Sequence, residues 1–404
     1  MGFSMNKKIT KLIKQHEKDI VQLTQELVQT SSVTGEEEMI IKKLKEKFKD
    51  FGFDEIIIDS MGNLIGRIGS GKKILAIDGH VDTVEIGDHN LWNFDPLGGK
   101  IHNKKIWGRG SCDQKGGLAS ALYAIKLLEE IGVPENLTVY MVASIQEETF
   151  EGMNWQYILE EDKIKPQAVI LTEPSNLRIS LGHRGRMDIK IQTEGVSSHG
   201  ANPNEGINAI YKMYPILAEI EEMHEQLPED PVFGKATIAV TDIKSTSVSL
   251  NAIAYSCTIH LDRRLGINDT KESVLKELKE LPSVLEAEAQ VFLPDYEVKT
   301  YCNHSSKVKG YYPAWKMDEN ELFVKIATKA FEETFNEKSD FIHWKFSTNG
   351  VATKGYHNIP TIGFGPGDER FAHTYEEHIP IDHLLKATQF YIFCLLLFAE
   401  EYEG

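Results

Sequence analysis

The sequence predicts an α/β fold: a doubly wound, mostly parallel sheet with a smaller ferredoxin-like α+β domain inserted into it. Three observations predict it. Apolar strands alternate with amphipathic helices through residues 1–184. The order changes to β-α-β-β-α-β over residues 185–297, and doubly wound character resumes over 298–404. A chain of 404 residues exceeds one ordinary core and suits two domains.

Two helices open the chain. The first covers residues 8–28; the second begins at Thr34, where Thr34-Gly35-Glu36-Glu37 has the form of a capping box, and stops at Gly52. A strand-turn-strand occupies 55–68, turning at Met61-Gly62-Asn63. Residues 73–78 (KILAID) form a strand that ends in a polar cluster, 118–131 has helical periodicity, and 137–145 and 167–172 (QAVILT) are apolar strands. Such alternation argues for a parallel sheet covered on both faces, whose ligands collect beyond the carboxyl ends of the strands. In the insertion, 187–193, 235–243, 254–262 and 287–292 are strands, and 208–224 and 271–281 are helices. A helix at 319–335, a strand at 361–364 and a final helix complete the chain. The longest apolar run, Phe390 to Ala399, is about half of the ~20 residues that a membrane span needs and reads as a buried helix.

Bulk composition removes several classes. Hydrophobic residues at 41% and charged residues at 26% belong to a folded chain rather than a disordered one. Lys+Arg 44 against Asp+Glu 61 leaves a net charge of -17, which repels nucleic acid and anionic membranes. Cys112, Cys257, Cys302 and Cys394 are far apart and form no CxxC, which argues against a disulfide framework or a thiolate zinc site and fits a cytoplasmic location.

Five short segments concentrate His, Asp and Glu, and four lie at or just beyond an apolar strand. They are Gly79-His80-Val81-Asp82-Thr83, Gly108-Arg109-Gly110-Ser111-Cys112-Asp113, Gln146-Glu147-Glu148, Thr172-Glu173-Pro174 and Ala372-His373-Thr374. Imidazole and carboxylate hold borderline cations such as zinc, and a pair of ions needs a carboxylate to bridge them. Taken singly, each segment is as well explained by a solvated side chain or a helix cap. That reading weakens where apolar strands run straight into acids, as at Ile77-Asp78-Gly79-His80 and Ile170-Leu171-Thr172-Glu173, because charge at a core edge is costly unless paired or metal-bound.

At these residues the sequence resembles a known family. GHVDTV (79–84), GRGSCDQKGG (108–117), Glu147-Glu148, Glu173-Pro174 and GPGDERFAHT (365–374) look like the motifs of the dinuclear zinc amidohydrolases and metallopeptidases. That family includes aminoacylase, carboxypeptidase G, succinyl-diaminopimelate desuccinylase and acetylornithine deacetylase. The resemblance implies a zinc-peptidase-like catalytic domain, two divalent metal ions per chain (zinc, with cobalt or manganese as substitutes), and hydrolysis of a peptide or N-acyl bond in a small carboxylate-bearing substrate. It implies that His80 and Glu173 bind one ion, Glu148 and His373 the other, and Asp113 both. Asp82 would accept from the far nitrogen of His80, and Glu147 would be the general base. The insertion would be a lid that forms a homodimer, with His199 of SSHGA reaching a neighbouring active site to stabilise the oxyanion. Asn251, Arg264 and, more weakly, Arg184 would hold the substrate carboxylate.

One departure stands out. Ser347-Thr348-Asn349-Gly350-Val351 occupies a place where many deacylases have Asp, Gly and Arg in succession, so Gly350 keeps the substrate-binding position while a charge of each sign is missing. STNGVAT followed by PTIGFGPGDE is most similar to a branch of the family linked to selenium metabolism. Two other readings carry less. Residues 66–73 nearly spell a phosphate loop, but Lys73 stands where Ser or Thr is required and a strand follows instead of a helix. A catalytically inactive binding or scaffold protein on the same fold is the alternative function; all five ligand positions and Glu147 count against it.

Overall fold

The computed structural model describes residues 3–403. A nine-stranded sheet runs through the larger part of the molecule. Its strands lie in the order Glu55–Ile58, Leu64–Gly69, Leu137–Ser144, Lys73–His80, Ala168–Leu171, Thr361–Gly363, Ile179–His183, Trp315–Lys316, with Phe341–Trp344 also paired to Ile179–His183. Its middle is parallel: Lys73–His80 pairs in that sense with both Leu137–Ser144 and Ala168–Leu171, and Thr361–Gly363 with Ala168–Leu171. The outer pairs Glu55–Ile58 with Leu64–Gly69 and Trp315–Lys316 with Ile179–His183 are antiparallel, whereas Phe341–Trp344 runs parallel to Ile179–His183. Buried on both faces, the central strands are continuous apolar runs such as Ala168–Leu171 (AVIL). The helices Gly116–Ile131 and Ile381–Glu401 cover the sheet, and Phe364 stacks on Phe390 and meets Tyr391 edge-on where the second helix packs into the core. Ile381–Glu401 is long and apolar enough to cross a membrane by length and composition, but most of it is buried in this core.

The insertion has its own sheet, in the order Thr237–Thr246, Ser256–Leu265, Gly185–Glu194, Gln290–Phe292, with helices Ala209–Gln226 and Lys271–Lys279. This is the ferredoxin-like arrangement. It encloses a separate apolar cluster built from Met187, Ile189, Ile191, Ile216, Ile259 and Leu261, the inward-facing positions of alternating strands and one helix stripe. The returning chain serves both parts. Val298, in the hairpin formed by Asp295–Lys299 and Ser305–Lys309, joins the large core, while Tyr311–Tyr312 adds to the edge of Gly185–Glu194 in the smaller sheet.

Two local expectations are corrected. The helix over 8–28 is two helices, Phe3–Gln15 and Glu17–Val28, meeting at His16, where the backbone leaves helical geometry. The capping box at Thr34 is absent: the next helix starts at Glu38, and the Thr34 hydroxyl instead donates to Asp82 Oδ2 at 2.8 Å. An acceptor far along the chain outcompeted the local helix terminus. The phosphate-loop lookalike is a turn between strands, and the Lys73 ammonium donates to the Ala399 carbonyl at the end of the last helix.

Candidate active site

Register brings the chemistry together. His80 ends its strand opposite Ser144, and Asp78 lies opposite Leu171, so three parallel strands finish side by side. Glu147 and Glu148 follow the second strand and Glu173 follows the third, which places their carboxylates around His80. Asp113 comes from the irregular turn Ser111–Lys115, and His373 from the loop after the short turn Glu369–Phe371.

The Asp113 carboxylate reaches both histidines with different oxygens. Oδ1 lies 3.1 Å from His80 Nε2, and Oδ2 lies 3.3 Å from His373 Nε2. Glu173 Oε1 and Glu147 Oε2 stand 3.7 and 3.8 Å from His80 Nε2, and Glu148 Oε2 stands 2.9 Å from His373 Nε2. Glu147 Oε1 and Glu148 Oε1 are buried with no hydrogen-bond partner among the described residues. Crowding this many carboxylates and leaving oxygens unpartnered is unfavourable unless a cation joins them, so the donor set fits divalent metal ions.

Surrounding groups hold these side chains. His80 Nδ1 donates to the backbone carbonyl of Asp82 at 2.9 Å, while the Asp82 carboxylate stands off at 3.6 Å. The expectation that this carboxylate receives the imidazole proton is therefore corrected. Its oxygens are taken by the backbone N–H groups of Glu147 and Glu148, each at 3.1 Å, and by Thr34. Asp82 thus fixes the turn carrying both glutamates. Glu377, buried, performs the same service for Asp113: Oε1 accepts from the N–H groups of Cys112 and Asp113 at 3.1 Å, and Oε2 pairs with Arg109 at 2.6 Å. Asn349 is a core residue, donating to Asp78 Oδ2 and Ser144 Oγ and accepting from the N–H of Gly152. An aspartate there would face the buried Asp78 carboxylate, which accounts for the missing acid at this position.

The electrostatics follow from burial and mutual charge. Burial, aided by Glu173, pushes Glu147 well above the ordinary carboxylate range. Burial and Asp113 raise Glu148 to about 7. Hydrogen bonds to Asp113 and Glu148 raise His373 to about 10. Burial opposes charge on His80, yet Glu173, Glu147 and Asp113 together hold its pKa well above the usual imidazole value.

Asp113, Glu147, Glu148, Glu173 and His373 line a cavity of about 340 Å³ together with Glu151, Arg186, Arg264, Phe346, Ser347, Glu369 and Ala372, a size suited to a small ligand. Of the expected substrate residues, only Arg264 lines it, in a bidentate pair with Asp262. The expectation for Arg184 is corrected: its guanidinium is occupied by the carbonyls of Phe233 and Lys235. Gly350 does not line the cavity; a Cβ there would meet the Trp315 ring at 2.5 Å, so it serves packing. His199 and Asn251 are exposed neighbours on the insertion, joined by the Gly200 N–H to Asn251 carbonyl bond, and do not line the cavity of their own chain. Sequence reasoning missed Glu151, Arg186, Glu369 and Glu377. The one available signal was acidic residues within a few positions of Glu148 and His373.

A mostly parallel sheet with imidazoles and carboxylates converging beyond its carboxyl end is the build of a metal-dependent hydrolase. The particular family comes from comparison: residues 76–396 match Peptidase family M20/M25/M40, and the chain belongs to it. The Escherichia coli K12 protein YgeY is 39% identical over 385 residues, 95% of this chain and 96% of that one. Acetylornithine deacetylase of Vibrio atlanticus is 29% identical over 275 residues, 63% of this chain and 71% of that one. A Bacillus subtilis protein described as a dinuclear metal binding peptidase of family M20 has the same fold, with a TM-score of 0.71 at 14% identity over 96% of this chain and all (100%) of that one. The protein is thus a family M20 hydrolase of peptide or amide bonds.

Proposed function

We propose that the protein cleaves a peptide or N-acyl bond in a small carboxylate-bearing substrate, using two divalent ions, zinc in the first instance, and Glu147 as general base. The observation that carries this reading is Asp113, whose two oxygens face two different imidazoles. His80 and Glu173 would hold one ion, Glu148 and His373 the other, and Asp113 both. Such ions, when bound, acidify water and polarise the amide carbonyl. Glu147 takes a proton from the attacking water and delivers it to the leaving nitrogen. Its burial raises its proton affinity, which suits a group that must accept a proton and pass it on. Asp82 orients the Glu147-Glu148 turn through both backbone N–H groups. Arg264, at the cavity wall, supplies a guanidinium for the substrate carboxylate. The four cysteines are all unpaired, in keeping with a reducing cytoplasm.

The insertion is read as a dimerisation domain that brings His199 to a partner's cavity as an oxyanion donor, with Asn251 beside it. Supporting this, Tyr211, Tyr214, Val248 and Leu250 are strongly exposed on it, and its edge strand Thr237–Thr246 is open along most of its length. The test of the chemistry joins two measurements: two metal ions per chain after loading with zinc, and hydrolysis within a panel of N-acyl amino acids and dipeptides. The Glu147→Gln chain should keep its metals and lose turnover. A chain that binds no metal, or a Glu147→Gln chain with wild-type activity, would sink the reading.

A further inference from the structure

The turn that carries Glu147 and Glu148 is held by side chains rather than by backbone. Past Ser144 the chain leaves the sheet, and its next four backbone N–H groups each donate to a side-chain oxygen. Ile145 N–H meets Asn63 Oδ1 at 3.1 Å, and Gln146 N–H meets Glu37 Oε1 at 3.3 Å. The N–H groups of Glu147 and Glu148 take the two oxygens of Asp82. Asn63 is itself oriented: its Nδ2 donates to Asp59 Oδ2 at 2.7 Å, which turns the amide carbonyl toward Ile145. Glu37, in the loop before the helix Glu38–Asp50, is buried and does not line the cavity.

Gln146 is the strained member of this turn. Its φ of 60° lies in the left-handed region, which is costly for a residue with a side chain, and it immediately precedes Glu147. Backbone held there sets the direction in which the next side chain leaves. Without the bond to Glu37, Gln146 is free to relax toward negative φ, which swings Glu147 away from His80, whose Nε2 it approaches to 3.8 Å. Glu148 is held separately, through Asp82 Oδ2. The other Glu37 oxygen, Oε2, is buried without a hydrogen-bond partner among the described residues. Burial and the nearby Asp82 charge raise the Glu37 pKa to about 7. Glu37 thus acts through the one oxygen that faces Gln146, and an uncharged oxygen at the same reach would serve as well.

We propose that Glu37 is a positioning residue for the reaction: through the Gln146 N–H it holds the left-handed turn that aims the Glu147 carboxylate into the site. This rests on the reading of Glu147 as general base and names what keeps that base in place.

Three substitutions separate reach from charge. Glu37→Gln keeps an oxygen at the same reach and removes the charge. Glu37→Asp keeps the charge and withdraws the oxygen by one methylene. Glu37→Met fills the space without an oxygen. Each zinc-loaded chain is measured for metal content, for kcat and KM on the best substrate of the N-acyl amino acid and dipeptide panel, and for structure by crystallography. Glu37→Gln should keep kcat within about threefold of wild type, whereas Glu37→Asp and Glu37→Met should lower it about thirtyfold at unchanged KM. All three should keep the wild-type metal content. In the two impaired chains Gln146 should leave positive φ and the Glu147 carboxylate should move by about 1 Å or more. If Glu37→Met does not fold, Glu37→Asp decides the same comparison. A Glu37→Gln chain as impaired as Glu37→Asp, loss of metal, a raised KM in place of a lowered kcat, or an unmoved Glu147 overturns the assignment. The crystal structures separate this from the parent reading. A displaced Glu147 together with a fully active Glu147→Gln chain, or with a wild type that cleaves nothing in the panel, supports the hold on the turn and overturns the general base. An inactive Glu147→Gln chain together with an unmoved Glu147 in Glu37→Asp overturns the positioning role alone.

Discussion

At the scale of single residues, Asp113 and His373 differ in how many partners depend on them. Asp113 faces both imidazoles, whereas His373 meets Glu148 and one oxygen of Asp113. Asp113→Ala should therefore lower occupancy at both metal positions, and His373→Ala mainly at one, as read by elemental analysis after dialysis. Proton linkage gives a second prediction. Without metal, His373 titrates at about 10 and Glu148 at about 7, so near pH 7 the histidine holds its proton and the glutamate is partly protonated. An ion needs both deprotonated, so binding must release protons. Affinity should rise with pH, the Glu148 contribution ending above about 7 and that of His373 above about 10. Calorimetry of zinc binding at pH 7 in buffers of different ionisation enthalpy should show a net release of at least one proton per chain; no release would contradict it.

At the scale of elements, the site is a property of strand ends, and this is why so much of it was legible. Strands such as Ala168–Leu171 announce themselves by apolar runs, and His80, Glu147, Glu148 and Glu173 follow those runs directly. What could not be read is what holds them. Glu377 meets Asp113 across 264 residues and Asn349 meets Asp78 across 271, and no local pattern records such contacts. Thr34 was misread for the same reason, since its acceptor Asp82 is 48 residues away. The Asn349 contact ties the loop before residues 351–356 to two strands, and it can be tested by exchange. Asn349→Asp sets a second carboxylate against buried Asp78 and should destabilise the protein by ~2 kcal/mol or more. Asp78 is already raised by burial. Because folding raises these pKa values, the added penalty appears once pH exceeds the unfolded value and grows until the folded one is passed. The loss should thus be larger at pH 8 than at pH 5 in thermal melts. Combining it with Asp78→Asn restores one acid and one amide, and most of the loss should return. A double variant no more stable than Asn349→Asp would show that the contact does not govern this corner of the sheet.

At the scale of the whole molecule, the arrangement of His199 argues for two chains. It lies on the insertion beside Asn251, exposed, with Nδ1 accepting from the Ala201 N–H, while the proposed metal ligands all belong to the larger sheet and its loops. That bond leaves Nε2 as the nitrogen bearing hydrogen in the neutral ring, so an oxyanion donor is available but has no target in its own cavity. The same insertion carries the exposed apolar residues around Tyr211, Tyr214 and Leu250 and an open strand edge, and a second copy can cover both at once. The prediction is complementation. A Glu147→Gln chain keeps His199 but lacks its base, and a His199→Ala chain keeps the base but lacks the donor, so each homodimer should be inactive or nearly so. After subunit exchange at equal concentrations, about half of the dimers are mixed if assembly is random. Each mixed dimer then contains one cavity with an intact Glu147 from one chain and an intact His199 from the other. Its other cavity lacks both. Activity should recover to about a quarter of the wild-type level per chain, since half of the dimers regain one of two sites. If His199 acted within its own chain, every cavity in the mixed dimer would still lack one group and the mixture would stay inactive. A monomer by light scattering, or a fully active His199→Ala chain, would remove the trans arrangement while leaving the metal chemistry in the larger domain untouched.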